Sequence, residues 1–433
     1  MTETLCAIYN DKKVGEILWD RSKDQLRFRY EKSWRNLRSA FPISLSMPLR
    51  IPEHGHEQVD AFLWGLLPDN DGVLKRWGER FHVSHRHPFQ LLSYVGEDCA
   101  GAIQLVQPDK VDAFLSQQNA NIQWLSPAEL EDRVKTVLRD QSATRFAQDH
   151  GQFSLAGAQP KIALHYDAKG KRWGIPEGSI PTTHILKPAT DDFDGKAEVE
   201  HLCLRLAAKL NFSVPATQVI DVGGTQVFVA RRYDRTPDGM HRIHQEDMCQ
   251  ALSHPPHHKY QNQGGPGPFE IVNLLRASSS KPDEDVWRFF DALAFNWLIA
   301  GTDAHAKNYS LLIASKGQVR LAPLYDLISS LPYPKVIDPR RAKLAMKIGG
   351  KYNLRGKGGV SAGSWEKCAT ELNLNVEEAR HRILTMAGKV PDCATEAAKD
   401  LKAKGLTHSV IGTLVDSLAR WTSECVGSFS EAG

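Results

Sequence analysis

The sequence predicts an α+β fold: a β-rich lobe feeding a helical lobe with a cleft between them, preceded by an additional N-terminal β-rich subdomain. Three patterns predict it. Leu26, Phe28 and Tyr30 alternate with Arg27, Arg29 and Glu31, the period of a half-buried strand. Val199, Leu202, Leu206 and Leu210 recur at spacings of three, four and four, the stripe of an amphipathic helix. Residues 286–300 are apolar nearly all round, which calls for a helix buried on every side.

The elements follow in chain order. Asn10-Asp11 and Gly15 punctuate short strands near the start. Helical pieces are expected over 62–67 and from Pro88. Residues 107–150 are polar and helix-prone, with Pro127 at a first helical turn after Ser126, and read as a bridge into the next unit. Residues 180–188 form a short strand ending at Lys187, because Pro188 biases its predecessor toward extended backbone. Residues 219–230 make a hairpin around Gly223-Gly224. Beyond 240 the chain turns helical, with helices near 364–372, 376–387 and 406–426, and Gly-Gly pairs at 264, 349 and 358 mark loops. The expected division is an N-terminal subdomain at 1–145, a smaller β lobe at 146–240 and a helical lobe at 241–433.

Composition narrows the function classes. The 433 residues suffice for two or three domains. With 54 basic and 51 acidic side chains the net charge is +3, which argues against a histone-like electrostatic binder. The seven cysteines include no C-x-x-C pair, so neither a zinc ribbon nor a disulfide framework is indicated, and Cys203 and Cys249 are expected to be buried thiols. His254, His257 and His258 sit among prolines with no carboxylate or cysteine at metal spacing and read as a loop. The N-terminus lacks a basic region followed by an apolar core, and the apolar stretch 289–301 is too short to span a bilayer. The cytoplasm is the expected compartment, with no membrane partner.

Phosphoryl transfer needs few protein parts: a loop over the phosphates, a lysine on them, oxygen ligands for Mg²⁺, and a carboxylate near the attacking hydroxyl. In Gly301-Thr302-Asp303-Ala304-His305-Ala306-Lys307-Asn308, the Asp and Asn lie five positions apart, the D-x-x-x-x-N interval of a protein-kinase catalytic loop. By itself this spacing also fits an Asp and an Asn capping a turn. Its neighbours favour chemistry. Leu321-Ala322-Pro323-Leu324-Tyr325-Asp326 sets a carboxylate after an apolar strand, and a hairpin through Lys316-Gly317 would bring Asp326 to Asp303 and Asn308. Upstream, Lys187 ends a strand and Glu200 follows on a helix, a candidate lysine and its orienting glutamate. Each also has a bland reading, a snorkelling lysine and a solvated helix face. Ser154-Leu155-Ala156-Gly157-Ala158-Gln159-Pro160-Lys161 is the candidate phosphate loop, although it is neither G-x-x-x-x-G-K-[ST] nor G-x-G-x-x-G. Together these parts make the expected fold protein-kinase-like and bilobal.

At these residues the chain resembles the HipA family of bacterial serine/threonine toxin kinases. The matching stretches are FSLAGAQPKIAL (153–164), THILKP (183–188), QEDMCQ (245–250), GTDAHAKNYS (301–310), LYDLIS (324–329) and, near the N-terminus, DCAGAIQLV (98–106). The resemblance implies that Asp303 is the catalytic carboxylate and that Asn308 and Asp326 coordinate Mg²⁺. It implies an ATP site formed by Ala156, Gly157, Ala158, Gln159, Lys161, Lys187, His305, Lys307, Asn308, Tyr325 and Asp326. The hinge of Arg231, Tyr233 and Asp234 would grip adenine through the backbone; some members carry an acid where Arg231 stands, so a side-chain role there is not implied. Ser154 matches the family's autophosphorylated serine, whose modification expels the loop and silences the enzyme, as added charge in a tight loop would do. His305 is expected to brace the loop by hydrogen bonding rather than act as a base with Asp303 so near. The implied partners are a HipB-like helix-turn-helix antitoxin, operator DNA reached through it as co-repressor, and an aminoacyl-tRNA synthetase substrate, notably glutamyl-tRNA synthetase. Its phosphorylation would starve translation and favour growth arrest and persistence.

Residues 335–357 hold eight basic side chains, among them Lys351, Arg355 and Lys357, against the single acid Asp338. Nucleic-acid contact is the sharp reading and a solvated surface the favoured one, since no aromatic interleaving accompanies the charge. Two rival functions stay open: a small-molecule or lipid kinase, because D-x-H-x-x-N also resembles phosphoinositide kinases, and a catalytically idle scaffold for antitoxin and DNA.

Overall fold

The computed structural model describes residues 2–116, 120–140, 154, 157, 159–190, 193–356 and 358–430. They form two compact units. The first comprises Met1–Pro188, Ile220–His257 and Leu311–Val319; the second comprises Ala189–Val219, His258–Ser310 and Arg320–Gly433.

The first unit opens with a five-stranded sheet in the order Glu53–His54, Gln25–Tyr30, Lys12–Asp20, Thr2–Tyr9 and Gln104–Val106, its pairings antiparallel. Leu26, Phe28 and Tyr30 point into its core while Gln25, Arg27 and Arg29 face solvent, as their alternation requires. Helices His56–Gly65, Asp71–Phe81 and Pro88–Val95 accompany this sheet. The expected piece at 62–67 is therefore the end of a helix that begins at His56. Asp71–Phe81 was not foreseen; Asn70 caps it by accepting from Gly72 N at 2.8 Å.

A six-stranded sheet runs in the order Thr217–Val222, Thr225–Arg231, His184–Pro188, Ile162–Asp167, Arg172–Glu177 and Asn121–Trp124. The hairpin turn has φ +59° at Gly223 and +82° at Gly224, the double positive φ of a type I′ turn. Helix Pro127–Arg139, opened by a Ser126/Glu129 capping box, buries Leu130, Val134 and Val137 against Ile162, Leu164, Leu186, Val227 and Val229. Residues 121–139 are thus part of this sheet's own core rather than a bridge. A third sheet orders His244–Asp247, Ser310–Ala314 and Gln318–Leu321, with Lys316 and Gly317 at positive φ in the expected turn.

The second unit is helical around Pro282–Leu298, whose Phe289, Phe290, Phe295 and Trp297 are buried. Trp421, from helix Ser409–Ser430, donates its indole N–H to the Trp297 carbonyl at 2.9 Å. Helix Val376–Ala403 runs well past the expected end at 387 and straight through Pro391. Proline removes one helical hydrogen bond there, but Ala394, Ala397 and Leu401 beyond it are buried, and that packing keeps the helix going. Cys203 and Cys249 are buried thiols, as expected. Among the described residues no helix is long and apolar enough to cross a membrane.

Candidate active site

The loop carrying Asp303 and Asn308 hangs from the end of the central helix. Gly301 N donates to Asn296 O at 2.7 Å and Ala300 N to Trp297 O at 3.0 Å, the paired bonds of a Schellman stop. The left-handed position is Ala300 (φ +51°) rather than a glycine. Gly301 must be small, since a Cβ there would stand 2.6 Å from Asn296 Oδ1. Asn296 Nδ2 in turn donates to Ala292 O and to Tyr309 Oη, tying helix and loop exit together.

Within the loop, His305 N donates to Asp303 O at 2.8 Å, and Asn308 donates from Nδ2 to the same carbonyl at 2.8 Å. The five-residue interval therefore closes the loop on itself, with Asn308 Oδ1 turned away from that bond. His305, Lys307 and Asn308 are buried, whereas Asp303 is exposed. Asp303 Oδ1 accepts from the Tyr260 hydroxyl at 2.6 Å, and the Tyr260 and His305 rings meet edge to face at 5.0 Å. His305 enters this loop through its backbone N–H and this ring contact.

The Asp326 segment returns to the same loop. Ala322 N donates to Ser310 O at 2.8 Å, and the strand stops at Leu321, before Asp326 rather than directly at it. Tyr325 donates from its hydroxyl to Lys307 O at 2.6 Å and accepts from Ser310 Oγ at 2.6 Å. Asp326 itself holds φ +57°, a left-handed backbone that aspartate and asparagine tolerate better than other residues with a Cβ. Asp303, Asn308 and Asp326 thus lie on the segments flanking the hairpin. As a donor set, an amide oxygen and a carboxylate are hard oxygen ligands and suit Mg²⁺.

The phosphate-binding candidates belong to the first unit. Ile162 pairs with Leu186, so the register continued by one residue sets Lys161 opposite Lys187 at the end of two strands. Lys187 Nζ also lies 5.4 Å from the Phe228 ring centroid. Gly157 has φ +106°, a backbone that favours glycine, and Lys161 Nζ lies 2.5 Å from where a Cβ would stand. Ser154 is buried, donating from Oγ to Leu66 O at 2.8 Å and from N to Asp98 O at 3.0 Å. Gln159 is half-buried; Ala156 and Ala158 lie outside the described residues.

Arg231 ends its strand opposite His184 and donates to the carbonyls of Thr236 and Pro237. Tyr233 donates its hydroxyl to Gln245 Oε1. The Asp234 carboxylate is taken up by Arg232, Arg235 and Gly101 N, which leaves it a structural charge. Glu200 is buried on helix Lys196–Lys209 of the second unit, so it is no solvated face. Lys351 is exposed, Arg355 stacks 4.4 Å over the Trp421 ring and pairs with Glu424, and Lys357 lies outside the described residues.

Two features escaped sequence reasoning. Tyr260 sits far upstream of Asp303 in a loop without periodicity, and no local signal marks it. The second is a buried charge cluster in which Asp98 accepts from Arg235, Arg242 and Thr182 while Arg232 bonds Asp234 and Thr182. Burial alone would raise the Asp98 pKa, but the guanidiniums of Arg242, Arg235 and Arg232 outweigh it and hold the carboxyl well below its ordinary range.

A β-rich N-terminal module, a lysine-bearing sheet and a helical unit with the Asp303–Asn308 loop define a protein-kinase-like fold with an extra domain. The profile of the HipA-like C-terminal domain matches residues 153–394, and that of the HipA N-terminal domain matches 5–106. A Sinorhizobium fredii protein named "Putative kinase Y4mE" is 32% identical over 95% of this chain and 96% of its own length. The serine/threonine-protein kinase toxin HipA of Shewanella oneidensis is 29% identical over 81% of this chain and 80% of its own. The solved complex of Shewanella oneidensis HipA with HipB and operator DNA superposes with a TM-score of 0.81 at 24% identity, covering 99% of this chain and 98% of that one. The chain belongs to the HipA family of toxin kinases.

Proposed function

We propose that this protein is an ATP- and Mg²⁺-dependent serine/threonine protein kinase and the toxin of a toxin–antitoxin pair. The observation that carries the reading is the closed Asp303–Asn308 loop, with Tyr325 bonding the Asp326 segment onto it. Asp303, exposed, accepts the proton of the acceptor hydroxyl as the phosphoryl group is transferred. Asn308 and Asp326 hold Mg²⁺, which when bound neutralises charge on the phosphates. Lys161 and Lys187, at the paired strand ends of the first unit, are the candidate phosphate-binding lysines. Little covalent work falls to the protein; position and charge supply the rate.

Ser154 is the self-modified serine: its buried hydroxyl must leave Leu66 O before it can react, and a phosphate could not return to that site. A small HipB-like antitoxin binds the protein and carries it to operator DNA as co-repressor. The acceptor is a translation factor such as glutamyl-tRNA synthetase, and its phosphorylation arrests growth in the cytoplasm.

The test is incubation of the purified protein with γ-labelled ATP and cell lysate, followed by identification of the labelled protein. Asp303→Asn is expected to lower transfer by several orders of magnitude while leaving the thermal midpoint unchanged. Transfer retained by a clean Asp303→Asn preparation refutes the assignment.

A further inference from the structure

We infer that Tyr260 is the positioning residue for the catalytic carboxylate, holding Asp303 by one oxygen so that the other meets the acceptor hydroxyl. The inference rests on the role given to Asp303 above and adds a residue that no motif supplies. The Tyr260 hydroxyl donates to Asp303 Oδ1 at 2.6 Å, the short distance of a hydroxyl bonded to a charged acceptor. Asp303 is exposed, and a lone exposed carboxylate turns among rotamers. A carboxylate has two oxygens, so a phenol on Oδ1 fixes the plane of the group and leaves Oδ2 to accept from the substrate.

The tyrosine is itself fixed, which separates it from a chance surface contact. Its ring meets the ring of His305, inside the catalytic loop, edge to face at 5.0 Å. Its carbonyl accepts from Gln263 N at 2.9 Å and Gly265 N at 3.0 Å, and the preceding carbonyl of Lys259 accepts from Ala306 N at 3.3 Å. The next residue, Gln261, accepts at Oε1 from Lys347 N at 2.7 Å and so roots the loop on strand Lys343–Ile348. Gly265 closes the turn where no other residue fits, since a Cβ there would stand 1.9 Å from His258 O. A rigid ring on a loop bonded at both ends is a means of holding an exposed acid at one angle, and a misplaced base costs rate rather than affinity.

The experiment compares full-length wild type, Tyr260→Phe and Asp303→Asn, using γ-labelled ATP and the purified acceptor that the wild type labels in lysate. Tyr260→Phe keeps the ring on His305 and removes only the donor. The expected result is a kcat lowered by roughly tenfold to a hundredfold, with KM for ATP and for the acceptor within about twofold and an unchanged thermal midpoint. A loss confined to KM assigns Tyr260 to substrate binding and overturns the inference. A faster Tyr260→Phe makes the tyrosine a plug and overturns it too. If the wild type transfers nothing, the kinase reading fails and takes this one with it; an active wild type matched by Tyr260→Phe defeats the positioning role alone.

Discussion

Glu246 shows how far one buried side chain can depart from its textual surroundings. In the sequence it stands in QEDMCQ between a glutamine and an aspartate, a hydrophilic stretch. In the structure it is fully buried on strand His244–Asp247, with Oε1 accepting from Leu45 N at 2.8 Å and Oε2 without a partner among the described residues. Burial pushes its pKa up to about 8; hydrogen bonds from Ser44 and Leu45 N only partly oppose that, and Asp247 adds to it. Its folded pKa lies above the unfolded value, so the native protein binds this proton more tightly. The stability it confers is complete below the unfolded pKa and is lost as pH rises through the folded one. His244 beside it is pushed down to about 4 by burial and stays neutral across that window. Glu246→Gln keeps the shape and cannot ionise. Between about pH 7 and pH 8.5 the wild type should therefore lose about 1 kcal/mol more stability than Glu246→Gln, read by urea unfolding at each pH. Parallel pH profiles would show that Glu246 carries no proton at neutral pH.

Among the elements, legibility followed chemistry that is local. The Gly223-Gly224 hairpin, the helix start at Pro127 after Ser126, the all-apolar central helix and the hairpin after Asn308 were readable because turn residues and periodicity act over a few positions. The stop of the central helix was not, because its left-handed residue is Ala300 and only bonds from Ser330 N and Oγ to the Ala300 carbonyl reveal how it is held. The helix that continues through Pro391 shows the converse: burial further along outweighs a local breaker. The Gly349-Gly350 turn joining Lys343–Ile348 to Lys351–Asn353 offers a test of this distinction. Both glycines have positive φ, but a Cβ on Gly349 would stand 2.1 Å from the backbone oxygen of Ser364, while one on Gly350 meets only Lys367 Nζ at 3.7 Å. Gly350→Ala should cost about 1 kcal/mol, the conformational penalty alone. Gly349→Ala should cost about 2–4 kcal/mol, because a backbone must move. Equal losses in urea denaturation would mean that the close approach to Ser364 is not a constraint.

At the scale of the whole chain, the segments of the candidate site were legible as spaced polar residues, whereas the charges that join distant parts of the first unit were not. Asp98, Thr182, Arg232, Asp234, Arg235 and Arg242 look in the sequence like ordinary surface residues, and only folding shows them to be buried together. Asp98 precedes the last strand of the N-terminal sheet; the arginines follow the end of the six-stranded one. The carbonyl of Asp98 also accepts from Ser154 N, so the cluster reaches the serine of the candidate phosphate loop. Its side chain bonds Arg235 Nη2 at 2.8 Å, Arg242 Nη2 at 3.0 Å and Thr182 Oγ1 at 2.6 Å. Asp98→Asn keeps the shape but leaves three buried guanidiniums with Asp234 as the remaining acid of the cluster. Removing one partner of such a group is far costlier than never having built it, since the stranded charge keeps its desolvation penalty. The expected loss is about 3–5 kcal/mol in urea unfolding. Because the folded pKa of Asp98 is depressed, this contribution is complete above the unfolded carboxyl pKa and is lost as the pH falls from there through the low folded value, so the gap between the two proteins should hold across mildly acidic and neutral pH. A variant as stable as wild type would mean that these arginines reach solvent and that the N-terminal module is held by its apolar contacts alone.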